Sequence, residues 1–138
     1  MRSVFDAIKS IVALAPLAAS AAQNGTVIDT MGFNTLTFVV SNGAATGSPS
    51  SYTVDAKVQE SAASDGSGMT DVTGATITQI TGDAATKVIR VEGLGTSRKR
   101  YLRIVVTPAL SGGSTPKALI GAVANLGRAY SEPVGNTN

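Results

Sequence analysis

The sequence predicts an all-β protein: an antiparallel β-sandwich or jelly roll of about seven or eight strands, preceded by a short N-terminal helical or extended arm. Short runs of alternating apolar and polar residues recur at intervals of about 8–15 residues, with turn residues between them. Small residues and threonine dominate, while charged residues make up only 14% of the chain and aromatic residues 4%. A parallel α/β sheet would require strands that alternate with helical segments, and the sequence shows no such alternation.

The length predicts one domain flanked by two terminal segments. A chain of 138 residues is too short to hold two separate hydrophobic cores. We expect an N-terminal arm over residues 1–23, a β-sandwich over 24–131 and a polar C-terminal tail over 132–138.

The arm has two interpretations. Arg2 and Lys9 precede an apolar run that ends near Leu17, as in a secretory signal. Asp6 and Pro16 do not suit such a signal, and they favour a segment that stays in the mature protein. The apolar run is too short for a membrane span, which needs about 20 residues.

The apolar residues of the arm recur at helical spacing, so we predict a short amphipathic helix with Ser3 as its N-cap. Pro16 is expected to end or kink it. Its apolar side packs either on the same domain or on a neighbouring subunit. The candidate partner contacts of the arm are Phe5, Ile8 and Val12.

The strands follow from period-2 alternation. The clearest runs from Tyr52 to Glu60, and residues 34–40 alternate in the same way. Other expected strands span residues 26–29, 76–81, 87–92, 101–107 and 118–126. We predict that one core contains Leu36, Phe38, Val54, Val58, Leu102, Ile104 and Val106.

The residue inventory excludes most catalytic chemistry. The chain has no Cys, His or Trp. This removes disulfides, thiolate nucleophiles, Cys/His zinc sites and any Ser-His or Cys-His pair. Glu60, Asp65 and Asp71 flank one loop, and they are better interpreted as solvated carboxylates than as Ca²⁺ ligands. We therefore predict no enzyme, no catalytic residue, no cofactor and no metal site.

The basic charge is concentrated in one part of the chain. Arg98, Lys99, Arg100 and Arg103 occupy four of six consecutive positions. Such a cluster is a solvated turn, a contact with an acidic protein surface through Arg–carboxylate pairs, or a nucleic-acid site. Nucleic acid is disfavoured because only Tyr101 is interleaved, which is too few rings for a stacking platform. We take the four residues as candidate partner contacts.

Several motifs resemble one protein family. They are Asn-Gly-Thr-Val-Ile-Asp-Thr-Met-Gly-Phe at 24–33, Lys-Val-Gln-Glu-Ser at 57–61, Arg-Lys-Arg-Tyr-Leu-Arg at 98–103 and Leu-Gly-Arg at 126–128. This series is similar to head decoration, or cement, proteins of tailed bacteriophages. Roughly residues 14–134 take part in the resemblance.

The resemblance implies a non-enzymatic virion protein with a jelly-roll-like sandwich on the outer surface of the capsid. Its implied partners are the major capsid protein and further copies of itself, as a dimer or trimer. Two alternatives stay open. One is a tail or head-completion component. The other is a secreted β-sandwich module that binds carbohydrate or a host surface, which would need a cleaved signal and exposed aromatic rings.

Overall fold

Two antiparallel β-sheets packed face to face form the sandwich that the alternation predicts. The computed structural model describes residues 3–131, so the predicted polar tail over 132–138 lies outside the described residues. The elements are α1 (Val4–Ala7), β1 (Ile8–Ala19), β2 (Gln23–Asn24), β3 (Ile28–Asp29), β4 (Phe33–Asn42), β5 (Ser51–Ser61), β6 (Thr70–Thr76), β7 (Ile80–Thr81), β8 (Thr86–Glu92), β9 (Tyr101–Ser111) and β10 (Ala118–Ala129).

The strands divide into a four-stranded and a six-stranded sheet. The four-stranded sheet has the order β1-β10-β4-β8. The six-stranded sheet has the order β2-β9-β5-β6, with β3 also on β9 and β7 also on β5. The strand pairs are antiparallel throughout these described ladders.

The core lies between the two sheets and confirms the predicted alternation. Strand β4 turns every second side chain inward, and strands β5 and β9 do the same from the opposite sheet. The seven predicted core residues are each 0% exposed. Because burial of apolar surface is the main favourable term in folding, this layer is the principal source of stability.

The predicted N-terminal helix is wrong over most of its length. Helix α1 covers only Val4–Ala7, capped by the Ser3 hydroxyl, and the chain becomes strand from Ile8 onward. Strand β1 pairs with β10 from Ile8↔Gly127 to Ala19↔Ala118. A short helix is marginal in water, whereas β-branched residues suit a half-buried sheet position. Tertiary pairing therefore overrides the helical spacing.

Pro16 sits in a bulge of the edge strand β1 and does not end a helix there. The register shifts between Leu14, opposite Ala122, and Leu17, opposite Ile120. An edge strand tolerates proline because its missing N–H costs no ladder bond. Gly121 faces this bulge, and a Cβ on it would lie 3.5 Å from Pro16 Cα.

Several strand boundaries also differ from the prediction. The expected strand over 76–81 is divided between the end of β6 and the short β7. Most of strand β6 was not predicted, because Gly74, at φ +79°, interrupts the alternation of apolar and polar residues. Strand β9 continues beyond residue 107 to Ser111, since Pro108 faces Val54 without leaving the ladder.

The segment after β2 links the two sheets. The Gly25 N–H donates to Ile104 O at 2.7 Å, and the Thr26 N–H donates to Ala13 O at 2.8 Å. Ile104 belongs to the six-stranded sheet and Ala13 to the four-stranded sheet. The chain therefore crosses between the sheets here and covers part of the β1 edge.

Asn42 links the sheets near the other end of β4. Asn42 is buried, with 7% of its surface exposed. The amide donates to Tyr52 Oη at 2.9 Å and to Gly82 O at 2.8 Å, and its oxygen accepts from the Ala85 N–H at 2.9 Å. A buried amide is retained only when its polar groups are paired, and this one is.

Candidate partner-binding surfaces

Four valines form a continuous row across the outer face of the four-stranded sheet. Val12 of β1 lies opposite Val123 of β10, Val123 opposite Val39 of β4, and Val39 opposite Val88 of β8. Val12 is 56% exposed, Val88 57% and Val123 41%. We call these four residues the valine row.

The rows beside the valine row are polar but mostly uncharged. On one side Asn125, Thr37 and Arg90 lie in register, and the Ser10 hydroxyl donates to Asn125 Oδ1 at 2.7 Å. On the other side Gly121, Ser41 and Thr86 lie in register. Beyond them Leu119 is 41% exposed.

Charge on this face is confined to one edge. Among the described strand residues that alternation places there, the charged ones are Arg90 and Glu92 of β8, and they form an ion pair with each other. The outer face of the four-stranded sheet is therefore apolar across its middle, and the two charges at its β8 edge neutralise each other.

The outer face of the six-stranded sheet has the opposite character. The Lys57 Nζ lies 2.9 Å from Asp71 Oδ2, and the Gln59 amide donates to Asp71 Oδ1 at 2.8 Å. These hydrogen bonds lower the pKa of Asp71. Arg103 donates twice to Gln59 Oε1, at 3.0 and 2.8 Å, and Gln79 donates to Asp55. Charged groups here are paired within the face.

The basic cluster lies at the entrance to β9, and Arg100 has a carboxylate partner of its own chain. Its Nε and a terminal nitrogen donate to the two oxygens of Asp29, each at 2.7 Å. The Arg100 hydrogen bonds lower the pKa of Asp29, and the pair raises the pKa of Arg100. The guanidinium also lies 5.2 Å from the centre of the Tyr101 ring.

Glu60 pairs with the guanidinium of Arg98 and accepts a backbone hydrogen bond from Lys99. Arg98 lies 3.5 Å from Glu60 Oε1, and the Lys99 N–H donates to Glu60 Oε2 at 3.0 Å. Lys99 Nζ donates to Thr70 Oγ1 at 3.3 Å. The chain thus supplies carboxylates that reduce the repulsion within the cluster. Whether Arg98, Lys99, Arg100 and Arg103 also contact a partner stays a prediction.

The three apolar contacts predicted in the arm fall on two elements. Phe5 is half-exposed on α1, and Ile8 and Val12 share the outward side of β1. A spacing of four residues keeps two side chains on one face of a helix and also on one face of a strand. The grouping of Ile8 with Val12 therefore survives the change from helix to strand, and Val12 begins the valine row.

Sequence reasoning missed Val88 and Val123 as members of a surface. Alternation predicts only that the side chain of Val39 points away from the core residues Phe38 and Val40. It predicts in the same way that Val88 points outward. The signal that unites them is the cross-strand register, which depends on pairing between distant strands.

Within residues 3–131, no group of three or more His, Cys, Asp or Glu side chains is arranged to hold a metal ion. In the same range, none of the helices has the length and apolar character needed to span a bilayer.

Comparison with known proteins identifies no family, because no family profile and no curated protein sequence matches this chain. One similar structure is the CBM22-1–GH10 modules of Clostridium thermocellum xylanase 10B complexed with xylohexaose, at 11% identity and TM-score 0.44 over 97% of this chain. Another is a family two carbohydrate esterase from Cellvibrio japonicus, at 9% identity and TM-score 0.35 over 94%. The match spans only 28% and 36% of those two chains. Similarity at this level carries no argument about function.

Proposed function

We propose that this chain is a non-enzymatic structural protein of a tailed-phage virion, a decoration or cement protein on the outer surface of the capsid. It bridges neighbouring units of the major capsid protein and needs no cofactor, membrane or nucleic acid. The contrast between its two outer faces carries the proposal. The phage context rests on the motifs at 24–33, 57–61 and 98–103.

A sheet face that is apolar across its middle, with its charges paired at one edge, favours a protein that works inside an assembly. The valine row spans all four strands of its sheet, and such a contiguous patch is typical of an interaction site. The other outer face carries a network of paired polar groups that is well suited to water. One side of the sandwich is thus suited to being covered and the other to being exposed.

Decoration stabilises a shell by repetition. Each bound copy buries interface area, and the symmetry of the shell repeats the gain over many equivalent positions. No single contact has to be strong, so a small sandwich is sufficient. The mechanism requires only a rigid core and exposed contact surfaces.

The basic cluster provides polar contacts for the shell. Asp29 uses two of the N–H donors of Arg100, and a guanidinium carries five. The remaining donors can bind a second carboxylate on the major capsid protein. Asp29 also keeps the guanidinium of Arg100 in one orientation. This lowers the entropic cost of the contact with the second carboxylate.

Binding to phage heads that were assembled without this chain tests the proposal. We expect the wild-type protein to co-sediment with such heads and to raise the temperature at which they open. The charge-swapped variant Asp29→Arg/Arg100→Glu keeps the internal ion pair but moves its cation. We expect it to fold normally and to bind at least about tenfold more weakly, since an interfacial charge pair is lost.

A matched swap on the other face controls for general effects of charge. Lys57→Asp/Asp71→Lys exchanges a pair of similar separation on the six-stranded sheet, and we expect it to bind heads like the wild type. If the wild-type protein does not co-sediment with heads, the proposed function is wrong. If both swaps bind equally well, the basic cluster is a solvated turn and makes no capsid contact.

A further inference from the structure

Both edges of the four-stranded sheet are protected against pairing with another strand. On β1, Ala13 O already accepts from the Thr26 N–H, and Pro16 lies in a bulge without an N–H to donate. On β8, Arg90 and Glu92 place charges along the edge. Bulges, proline and charges are the devices that prevent edge-to-edge association. A second chain therefore meets this sheet through its outer face.

A two-fold axis can bring the outer face against the same face of a second copy. A two-fold axis in the plane of contact, either along the valine row or across its centre, superimposes the row on the same row of a second copy. Such an isologous contact requires one patch that fits itself. The charged residues of the face, Arg90 and Glu92, neutralise each other. Two copies can therefore approach without opposing like charges, which would weaken the contact.

The neighbouring polar row adds little cost to burial. Ser10 and Asn125 satisfy each other by a hydrogen bond of 2.7 Å, so covering them leaves that pair intact. The valine side chains lose water on both sides of the contact. Valine is stiff at χ1, so ordering it in an interface costs little conformational entropy.

The size of the face also suits a dimer. Four strands about 4.8 Å apart, of 7 to 12 residues that rise about 3.3 Å each, give a flat area roughly 19 Å wide and roughly 23 to 40 Å long. Side chains make the accessible area larger than this footprint. The face is thus comparable with the roughly 800 Å² per partner that stable interfaces bury.

We infer that a second copy of this chain covers the outer face of the four-stranded sheet, with valine row against valine row across a two-fold axis. This inference rests on the proposed function, because it names the partner of the surface that carries that proposal. The assembled unit is a dimer in which the two six-stranded sheets face outward. In each copy Arg100 and Arg103 stay outside the dimer contact, whereas Arg98 lines a pocket with Arg90 and Glu92 at its edge.

Sedimentation equilibrium of the purified full chain tests this dimer. We expect the wild-type protein to have a mass twice the 13.9 kDa of one chain. Val123→Lys places a charge at the centre of the contact and is expected to weaken the dimer at least about tenfold. Thr107→Lys introduces the same side chain at an exposed strand position of the other sheet and is expected to leave the dimer unchanged.

The outcomes separate this inference from the proposed function. A wild-type protein that stays at 13.9 kDa, forms a trimer, or dimerises equally well as Val123→Lys overturns the inference. Circular dichroism and a thermal melt establish that each lysine variant is folded, and Val88→Lys is the substitute if Val123→Lys does not fold. If the protein is a monomer that binds phage heads, the proposed function stands and the dimer is wrong. If it is a dimer that does not bind phage heads, the dimer stands and the proposed function is wrong.

Discussion

Replacing Phe38 with alanine is expected to lower the free energy of unfolding by about 3–5 kcal/mol. Phe38 is the largest fully buried side chain among the described residues. Its cross-strand neighbours are Ala124 on β10 and Ile89 on β8. Ala124 carries only a methyl group, so it is too short to fill the cavity that truncation opens. Urea unfolding followed by circular dichroism measures the loss.

Val39→Ala is the matched control for this variant. Val39 follows Phe38 in the same strand but points to the outer face. We expect Val39→Ala to cost less than about 1 kcal/mol in the isolated chain and to weaken self-association. Equal losses for the two variants would contradict the alternation that places one side chain inside and the next outside.

Gly25→Ala is expected to destabilise the fold by roughly 3 kcal/mol, although it adds one methyl group. A Cβ at this position would lie 2.7 Å from Ile104 Cγ2 and against the backbone oxygen of Ala13. These atoms belong to opposite sheets, and both sheets are hydrogen-bonded to the crossing segment. Neither neighbour can retreat without breaking those bonds. A thermal melt beside the wild type measures the effect.

Gly43→Ala is a control in the same local sequence, because Gly43 also follows an asparagine. Neither Gly25 nor Gly43 has a left-handed φ, so the comparison isolates the steric term. A Cβ on Gly43 would make ordinary contact with Leu119 Cβ at 3.4 Å. We expect a change of less than about 1 kcal/mol. If Gly25→Ala and Gly43→Ala lower the stability of the fold by similar amounts, the close approach of the two sheets at Gly25 is contradicted.

The core was predictable because alternation is a local signal. Leu36, Phe38 and Val40 stand two residues apart, and a half-buried strand needs no information from the rest of the chain to show this pattern. Strand β1 was not predictable in this way. Its spacing of four between Ile8 and Val12 fits both periods, and the paired residues of β10 lie 99 to 119 positions away, from Ala19↔Ala118 to Ile8↔Gly127.

The candidate surfaces were predictable only in part for the same reason. The sequence shows that Arg98 to Arg100 are concentrated in one turn, but their carboxylates come from distant strands. Arg100 and Asp29 are 71 positions apart, and Lys99 and Glu60 are 39 apart. The valine row likewise depends on the register of four strands, which local propensity does not specify.

The number of intact chains per major capsid protein in purified virions tests the central claim most directly. Quantitative mass spectrometry of peptides from both proteins measures this ratio. A decoration protein repeats with the symmetry of the shell, so we predict a fixed ratio near one chain, or a simple fraction of one, per capsid protein. A few copies per virion would indicate a tail or head-completion component, and absence from the virion would contradict the account.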